Sequence, residues 1–198
     1  CIRDSSESAR PQAGSTAVTA LIGGLNGTKG KQVTVVGGKF GNALQFSGSN
    51  TNSRVQFGSD SRKNFDGVFS VSLWMKRTSN TGTQYILGNK SGSNNAGYYF
   101  RMSSNNNKRF TVKGTSNERN RDVTNAWNAQ NWHHIVNVFN GNALSTSMRW
   151  RIYADGVQKD QNDIPKIETA SADLRIGERS WGSGNRFIGM LDDLRYYD

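Results

Sequence analysis

The sequence predicts an all-β fold, and three observations support this prediction. Its clearest segments alternate apolar and polar side chains with a period of two, as in Val68–Arg77, where Phe69, Val71, Leu73 and Met75 would share one face. Clusters of Gly, Ser and Asn separate these segments, and Pro occurs only 2 times. No stretch shows the period of an amphipathic helix. Many short strands joined by turns are typical of a β-sandwich.

The predicted strands follow one another along the chain, each bounded by turn residues. In the first half they are Val33–Val36, Asn42–Ser47, Arg54–Phe57, Val68–Arg77, Gln84–Leu87 and Gly97–Met102. In the second half they are Arg109–Lys113, Trp132–Phe139, Met148–Ala154, Asp173–Gly177 and Arg186–Tyr197. Residues 114–131 are charged and rich in Asn, so we expect the longest irregular loop there. Residues 1–15 are polar and aperiodic, which predicts a short N-terminal arm or linker before a single domain at 16–198.

Composition limits the classes of function. There is no run of 18 apolar residues, and the only cysteine, Cys1, cannot form an internal disulfide. The chain does not begin with Met and carries no signal peptide, so we expect a processed or excised piece of a longer protein. The net charge of +10 predicts a polyanionic partner. A nucleic acid is not expected, because no recognition helix, zinc ligand set or basic low-complexity arm accompanies the charge.

The outward-facing positions of three predicted strands carry cationic and aromatic side chains. Alternation within each strand places on the outside Tyr99, Arg101, Arg109, Lys113, Arg149, Arg151 and Tyr153. If these strands belong to one sheet, they form one basic surface on which aromatic rings stack against sugars and guanidinium groups bind carboxylate or sulfate. The alternative is an ordinary solvated exterior with cations protecting sheet edges. Two loop tryptophans, Trp127 and Trp181, are predicted either to contact the ligand or to cap the sandwich.

Six blocks of sequence carry a family resemblance, and they occur in family order. They are Gly38–Gly48, Phe69–Lys76, Asn131–Gly141, Ile152–Val157, Leu174–Gly177 and Phe187–Tyr197. These blocks resemble the strands of laminin G-like domains of the concanavalin A-like lectin/glucanase superfamily. The resemblance implies a two-sheet antiparallel jelly roll over about residues 16–198. It implies function only loosely, because such folds include lectins, adhesion modules, glycanases and inert spacers.

The carboxylates do not fit glycoside hydrolysis, which needs two of them flanking the scissile bond. The hydrolases that the sequence resembles carry these carboxylates on one strand, as E-x-D-x-E. No glutamate of this chain has a second carboxylate two residues away; the glutamates are Glu7, Glu118, Glu168 and Glu178. Asp192 and Asp193 are adjacent, so in a strand they point to opposite faces. We therefore expect a protein that is not an enzyme.

The two histidines, His133 and His134, are also adjacent in a predicted strand. Their side chains diverge, which makes them a poor zinc pair and a poor acid–base pair. His134 occupies the position that matches the family pattern, so we expect it to be a hydrogen-bonded structural residue.

Asp192 is the carboxylate that most needs a partner. Counting by two, it shares a face with Met190, Leu194 and Tyr196, which is predicted to be the core face. A buried carboxylate must be paired, hydrogen-bonded or bound to a metal. The resembling folds often hold a structural Ca²⁺ near this closing strand. Asp192 is therefore predicted either to ligate Ca²⁺ or to accept hydrogen bonds from nearby backbone or hydroxyl groups.

Taken together, the residues and the resemblance predict a non-catalytic extracellular binding or adhesion module that recognises an anionic carbohydrate. The alternative is a structural surface protein of a virion or cell appendage, in which the jelly roll is an assembly unit facing an acidic neighbouring subunit. A third hypothesis is the accessory domain of a glycanase. Apart from the Ca²⁺ considered for Asp192, no cofactor is expected, and the expected location is extracellular, on a cell surface or on a virion surface.

Overall fold

A computed structural model describes residues 17–19, 26–49, 52–58, 68–90, 92, 96–103, 108–113, 118–123, 130–141, 149–162 and 172–197. This part of the chain contains strands and turns but no helix. All its strand pairs are antiparallel, which confirms the predicted all-β, two-sheet sandwich. The predicted arm at residues 1–15 lies outside the described residues, as does Trp127.

The strands, numbered in chain order, form two sheets. The eight-stranded sheet contains, in spatial order, β1 (Ala17–Thr19), β2 (Asn26–Lys29), β5 (Val55–Gln56), β14 (Arg175–Ile176), β7 (Gln84–Gly88), β8 (Gly97–Met102), β9 (Lys108–Lys113) and β10 (Glu118–Val123). The seven-stranded sheet contains β13 (Val157–Asn162), β12 (Trp150–Ala154), β11 (His133–Asn140), β6 (Val68–Arg77), β15 (Ile188–Tyr197), β4 (Asn42–Ser47) and β3 (Val33–Gly37).

The core lies between the two sheets and follows the period of two in the central strands. On β6 the buried side chains are Phe69, Val71, Leu73 and Met75, as the alternation predicts. The opposite sheet contributes Tyr98, Phe100 and Met102 from β8 to the same cluster. Trp150 is fully buried, and its Nε1–H donates to Asn137 Oδ1 at 3.2 Å, so the polar atoms of this buried pair satisfy each other.

Four strands were not predicted, namely β1, β2, β10 and β13. Three of them, β1, β10 and β13, lie at an edge of a sheet. β10 falls inside the segment expected to be the longest irregular loop, so that expectation was wrong. β13 follows the Asp155–Gly156 turn and is mostly exposed. Neither strand alternates apolar and polar side chains, because an edge strand buries little and charged residues there discourage further pairing. β10 and β13 contact each other at the same side of the sandwich.

Candidate functional site

The loop between β14 and β15 is fixed in place by a buried carboxylate. Glu178 is 0% exposed. Its Oε2 accepts a hydrogen bond from Arg54 Nη1 at 3.0 Å, and its Oε1 lies 2.9 Å from Arg186 Nη2. Gly184 N–H also donates to Glu178 Oε1 at 3.3 Å. A carboxylate removed from water is stable only with such partners, so the loop that contains Trp181 is held from both of its ends.

Trp181 rests on two buried tyrosines on the outer face of the eight-stranded sheet. Its ring lies 5.5 Å from the rings of Tyr85 and Tyr99, and the two tyrosine rings are 5.0 Å apart. A register shift in β7 turns Tyr85 outward, while Ile86 and Leu87 both remain in the core. Burial, with a smaller contribution from the nearby Tyr99, raises the pKa of Tyr85 to about 12, so the Tyr85 phenol stays neutral and able to donate.

Cationic side chains surround these rings. Lys90, only 2% exposed, places its Nζ 5.1 Å from the Trp181 ring and 5.5 Å from the Tyr99 ring, and its carbonyl accepts a hydrogen bond from Ser180 Oγ at 2.5 Å. Arg179 Cζ lies 6.0 Å from the Trp181 ring, and Arg179 Nη2 donates to the Ser183 carbonyl.

Two arginines extend this cationic surface along β8 and β9. Arg101 and Arg109 face each other across the two strands. Arg101 Nη1 donates to Thr83 Oγ1 at 3.2 Å, whereas Arg109 binds the Asp122 carboxylate in bidentate fashion. The hydrogen bond from Arg109 lowers the pKa of Asp122, so that carboxyl stays ionised. We call the set Tyr85, Tyr99, Arg101, Arg109, Arg179 and Trp181 the Trp181 surface.

The structure divides the predicted binding residues between the two sheets. Tyr99, Arg101, Arg109 and Trp181 meet on the eight-stranded sheet, and Lys113 ends β9 of that sheet. Arg151 and Tyr153 lie on β12 of the seven-stranded sheet, and Arg149 immediately precedes that strand. The predicted single surface therefore does not form. Alternation gives the side of a strand on which a residue lies, but the sheet to which the strand belongs depends on long-range pairing.

Tyr99 also differs from the expectation of an outward ligand contact. It points outward, but only 5% of it is exposed, because Trp181, Tyr85 and Lys90 cover it. Tyr99 therefore supports Trp181. Sequence reasoning missed the roles of Tyr85, Lys90 and Arg179. Arg179 lies two residues from Trp181 in the same Gly/Ser-rich loop, and this spacing was the available signal.

Asp192 does not lie on the core face, so that prediction was wrong. Its Cα pairs with Trp74, and its Oδ2 accepts the Phe40 N–H at 2.8 Å. The register shifts between Asp192 and Arg195, and Asp193 has φ of 47°, so a bulge breaks the alternation. Asp192 is buried because the turn that holds Phe40 covers it, and this turn also packs Phe40 edge-on against Trp74 at 5.4 Å.

The donors near Asp192 do not fit a calcium ion. Asp193 turns away to Arg195, whose Nε donates to it at 2.8 Å. Nowhere in the described ranges do three His, Cys, Asp or Glu side chains gather as a metal-binding group. Calcium takes six to eight oxygen ligands, with carboxylates prominent among them. Of the two predicted roles, the hydrogen bond from a backbone amide is the one that the geometry supplies.

The two histidines make separate structural contacts. His133 Nδ1 lies 2.6 Å from Asp155 Oδ2, and Asp155 Oδ1 accepts the His134 N–H at 2.9 Å. Burial alone would raise the pKa of Asp155, but these hydrogen bonds outweigh it and lower that pKa. The His134 ring stacks on Trp74 at 5.3 Å, away from the His133 contact. The two imidazoles therefore do not come together as a metal-binding pair or as an acid–base pair.

Comparison with known proteins assigns the fold family. A family model for laminin G domains, described as the concanavalin A-like lectin/glucanases superfamily, matches residues 47–198. The chain belongs to this superfamily. As a concanavalin A-like domain it has the two antiparallel sheets that its sequence blocks predict. No individually curated protein sequence matches it. No helix in the described residues is long and apolar enough to cross a membrane.

Solved structures with the same fold are distant in sequence. The binding domain of Paraclostridial Mosquitocidal Protein 1 aligns with a TM-score of 0.71 at 19% identity, over 92% of this chain and 46% of that one, so this chain spans less than half of it. Domain 4 of AbnA, an extracellular arabinanase of Geobacillus stearothermophilus in complex with arabinotriose, gives 0.64 at 21% identity, over 87% and 82%. The Ruminococcus gnavus sialidase CBM40 bound to sialyllactose gives 0.55 at 13% identity, over 66% and 75%.

Proposed function

We propose that this concanavalin A-like domain is a non-catalytic extracellular module that binds an anionic polysaccharide through the Trp181 surface. The observation that carries the proposal is a half-buried indole seated on two tyrosines beside Arg101 and Arg179. Within the described part of the chain, neither guanidinium group has a carboxylate partner. Their charge is therefore available to a ligand.

The binding mechanism needs no covalent step. The exposed part of the indole offers a flat apolar surface for the C–H face of a pyranose ring. Arg101 and Arg179 each bind a carboxylate or sulfate through charge-assisted hydrogen bonds, which are stronger than neutral ones. Because Glu178 and Ser180 already hold the loop, little side-chain entropy is lost when the ligand binds.

Two of the similar structures support carbohydrate as the ligand class. One is described in complex with arabinotriose and the other bound to sialyllactose, a sugar with a carboxylate. Both share only the fold with this chain, so the proposal of an anionic ligand depends on the residues of the Trp181 surface.

The described carboxylates support a binding role without catalysis. Glu178 uses both oxygens in ion pairs with Arg54 and Arg186. Asp122 is bound by Arg109, and Asp155 by His133. A glycosidase needs one carboxylate ready to donate a proton and a second one nearby, whereas each of these carboxylates is already bound by an arginine or histidine side chain.

The test compares retention on resins that carry a sulfated polysaccharide, a uronic-acid polysaccharide or a neutral glucan. We expect retention on at least one anionic resin. Arg101→Ala should weaken it at least tenfold, since losing one charge-assisted contact costs ~1.5–3 kcal/mol, and Trp181→Ala should weaken it by removing the stacking surface. Lys31→Ala removes one charge from an exposed turn and should leave binding nearly unchanged.

Two results would contradict this proposal. Equal losses in Arg101→Ala and Lys31→Ala, with no loss in Trp181→Ala, would mean that bulk charge alone retains the protein. Higher-order assembly in light scattering with no glycan retained would favour the structural surface protein of a virion or cell appendage.

A further inference from the structure

The outer face of the seven-stranded sheet carries two neighbouring rows of side chains. Strand register aligns Arg195, Ser72, Val136 and Tyr153 in one row. The next row contains Tyr197, Ser70, Val138 and Arg151. Rows two residues apart along a strand are separated by about 7 Å. All these residues lie on the side opposite the core, because their strand neighbours Val71, Ile152 and Tyr196 are buried.

The centre of this face is lower than its two sides. Serines of β6 and valines of β11 form the floor, whereas long side chains stand on β12 on one side and on β15 on the other. The two flanking strands are three strand spacings apart, or about 14 Å. A shallow trough of this width runs along the strands and suits a linear chain. We call it the β6–β11 trough.

Cationic charge on the β12 side of the trough is not neutralised. Arg149 and Arg151 occupy successive outward positions, and in the described residues neither forms an ion pair or a side-chain hydrogen bond with a carboxylate. On the opposite side, Arg195 is already bound to Asp193 at 2.8 Å. The two free guanidinium groups, with Tyr153 beside them, are therefore what an anionic ligand would contact.

The trough and the Trp181 surface cannot serve one short ligand. They belong to different sheets, and the hydrophobic core lies between them. Packed sheets are about 10 Å apart before their outer side chains are counted, and the two outer faces point in opposite directions. A ligand on one face therefore leaves the other free.

We propose that the β6–β11 trough is a second binding site for an anionic polysaccharide chain, so that one domain binds two chains and bridges them. This inference rests on the proposed function for its ligand class. Charge complementarity to Arg149 and Arg151 selects an anionic chain, and a trough about 14 Å wide suits a linear one.

The test counts sites by isothermal titration calorimetry with a sulfated hexasaccharide and an oligogalacturonate of similar length. We expect two sites per chain. Arg151→Ala, or Arg151→Gln if the first variant does not fold, should abolish or weaken at least tenfold one site and leave the other unchanged. Arg101→Ala should do the reverse, and Lys31→Ala, with the same loss of charge, should alter neither. With a long polysaccharide, turbidity should pass through a maximum as polymer is added, and Arg151→Ala should remove it.

The outcomes separate the two proposals. A single site that Arg101→Ala weakens and Arg151→Ala does not would overturn the second site and leave the proposed function standing. A single site with the opposite sensitivity would overturn the Trp181 surface as well as the two-chain proposal. An unchanged glycan stoichiometry together with loss of self-association in Arg151→Ala would show that the trough is a protein interface, which contradicts the inference.

Discussion

Replacing Glu178 with Gln tests whether a buried ion-pair network holds the Trp181 loop. Glutamine keeps the shape of the side chain but removes its charge, and its amide NH₂ would face one of the two guanidinium groups. Arg54 and Arg186 would then lose the charge of Glu178 while remaining partly buried. We expect lower stability and, because the loop is loosened, weaker binding at the Trp181 surface.

The expected loss of unfolding free energy in Glu178→Gln depends on how far its two arginine partners are exposed. Removing one member of a buried ion pair costs roughly 3–5 kcal/mol. Arg54 and Arg186 side chains are 28% and 13% exposed, while the Glu178 side chain is 0% exposed, so water can partly compensate the arginines. We therefore expect a loss of unfolding free energy at the lower end of this range, about 3 kcal/mol. For a domain of this size, one kcal/mol lowers the melting temperature by about 2–4 °C, which gives a decrease of about 6–12 °C.

The assay is thermal and urea unfolding of Glu178→Gln beside Asp122→Asn. Asp122 pairs with Arg109 in partly exposed surroundings, so its replacement should cost only about 0–1 kcal/mol. A loss below 1 kcal/mol for Glu178→Gln, or equal losses in the two variants, would refute the assignment of Glu178 as the anchor of the loop.

Three further predictions follow from close contacts. Gly38→Ala would place a Cβ 2.6 Å from Asp192 Oδ2, so we expect a loss of about 1–3 kcal/mol in urea unfolding, whereas Gly37→Ala, with open space around it, should be nearly neutral; equal effects would contradict this. The pKa of Asp155 is lower in the folded protein than in the unfolded chain, where it is near 4. Ionised Asp155 therefore stabilises the fold above that unfolded value, and this stabilisation is lost as the pH falls through the folded pKa. Asp155→Asn keeps an Asn-Gly turn and should flatten the acid limb of a stability–pH curve; an unchanged limb would refute it. The melting temperature should not respond to EGTA or added Ca²⁺, because no group of three acidic, His or Cys side chains gathers at Asp192 within the described residues, and a clear rise with Ca²⁺ would refute this.

Local pattern was sufficient for the central strands. Val68–Arg77 and Gly97–Met102 alternate because one face of each packs on the core, and the structure has strands with these bounds. The edge strand β13 is mostly exposed, and neither its sequence nor that of the edge strand β10 has this period. The alternation of apolar and polar residues arises where one face of a strand is buried, and a strand that buries neither face does not require it.

The site was harder to predict for two physical reasons. A bulge changes the face of every residue beyond it, which is why Asp192 was assigned to the wrong side. Sheet membership is set by pairings between distant segments, so Arg101 and Arg151 could be placed on outer faces but not on the same or different sheets. The packing of Trp181 on Tyr85 and Tyr99 joins segments that are far apart in sequence, and no local period reports it.

The distribution of charge explains why both outer faces could attract anions. Six acidic side chains in the described residues each have a local partner: Asp122, Asp155, Asp173, Glu178, Asp192 and Asp193. Their charges are therefore neutralised or buried where they stand. The arginines without a carboxylate partner among these residues include Arg101 and Arg179 on one sheet face and Arg149 and Arg151 at the other. Part of the net charge of +10 is therefore carried by guanidinium groups beside aromatic rings, on two surfaces separated by the core.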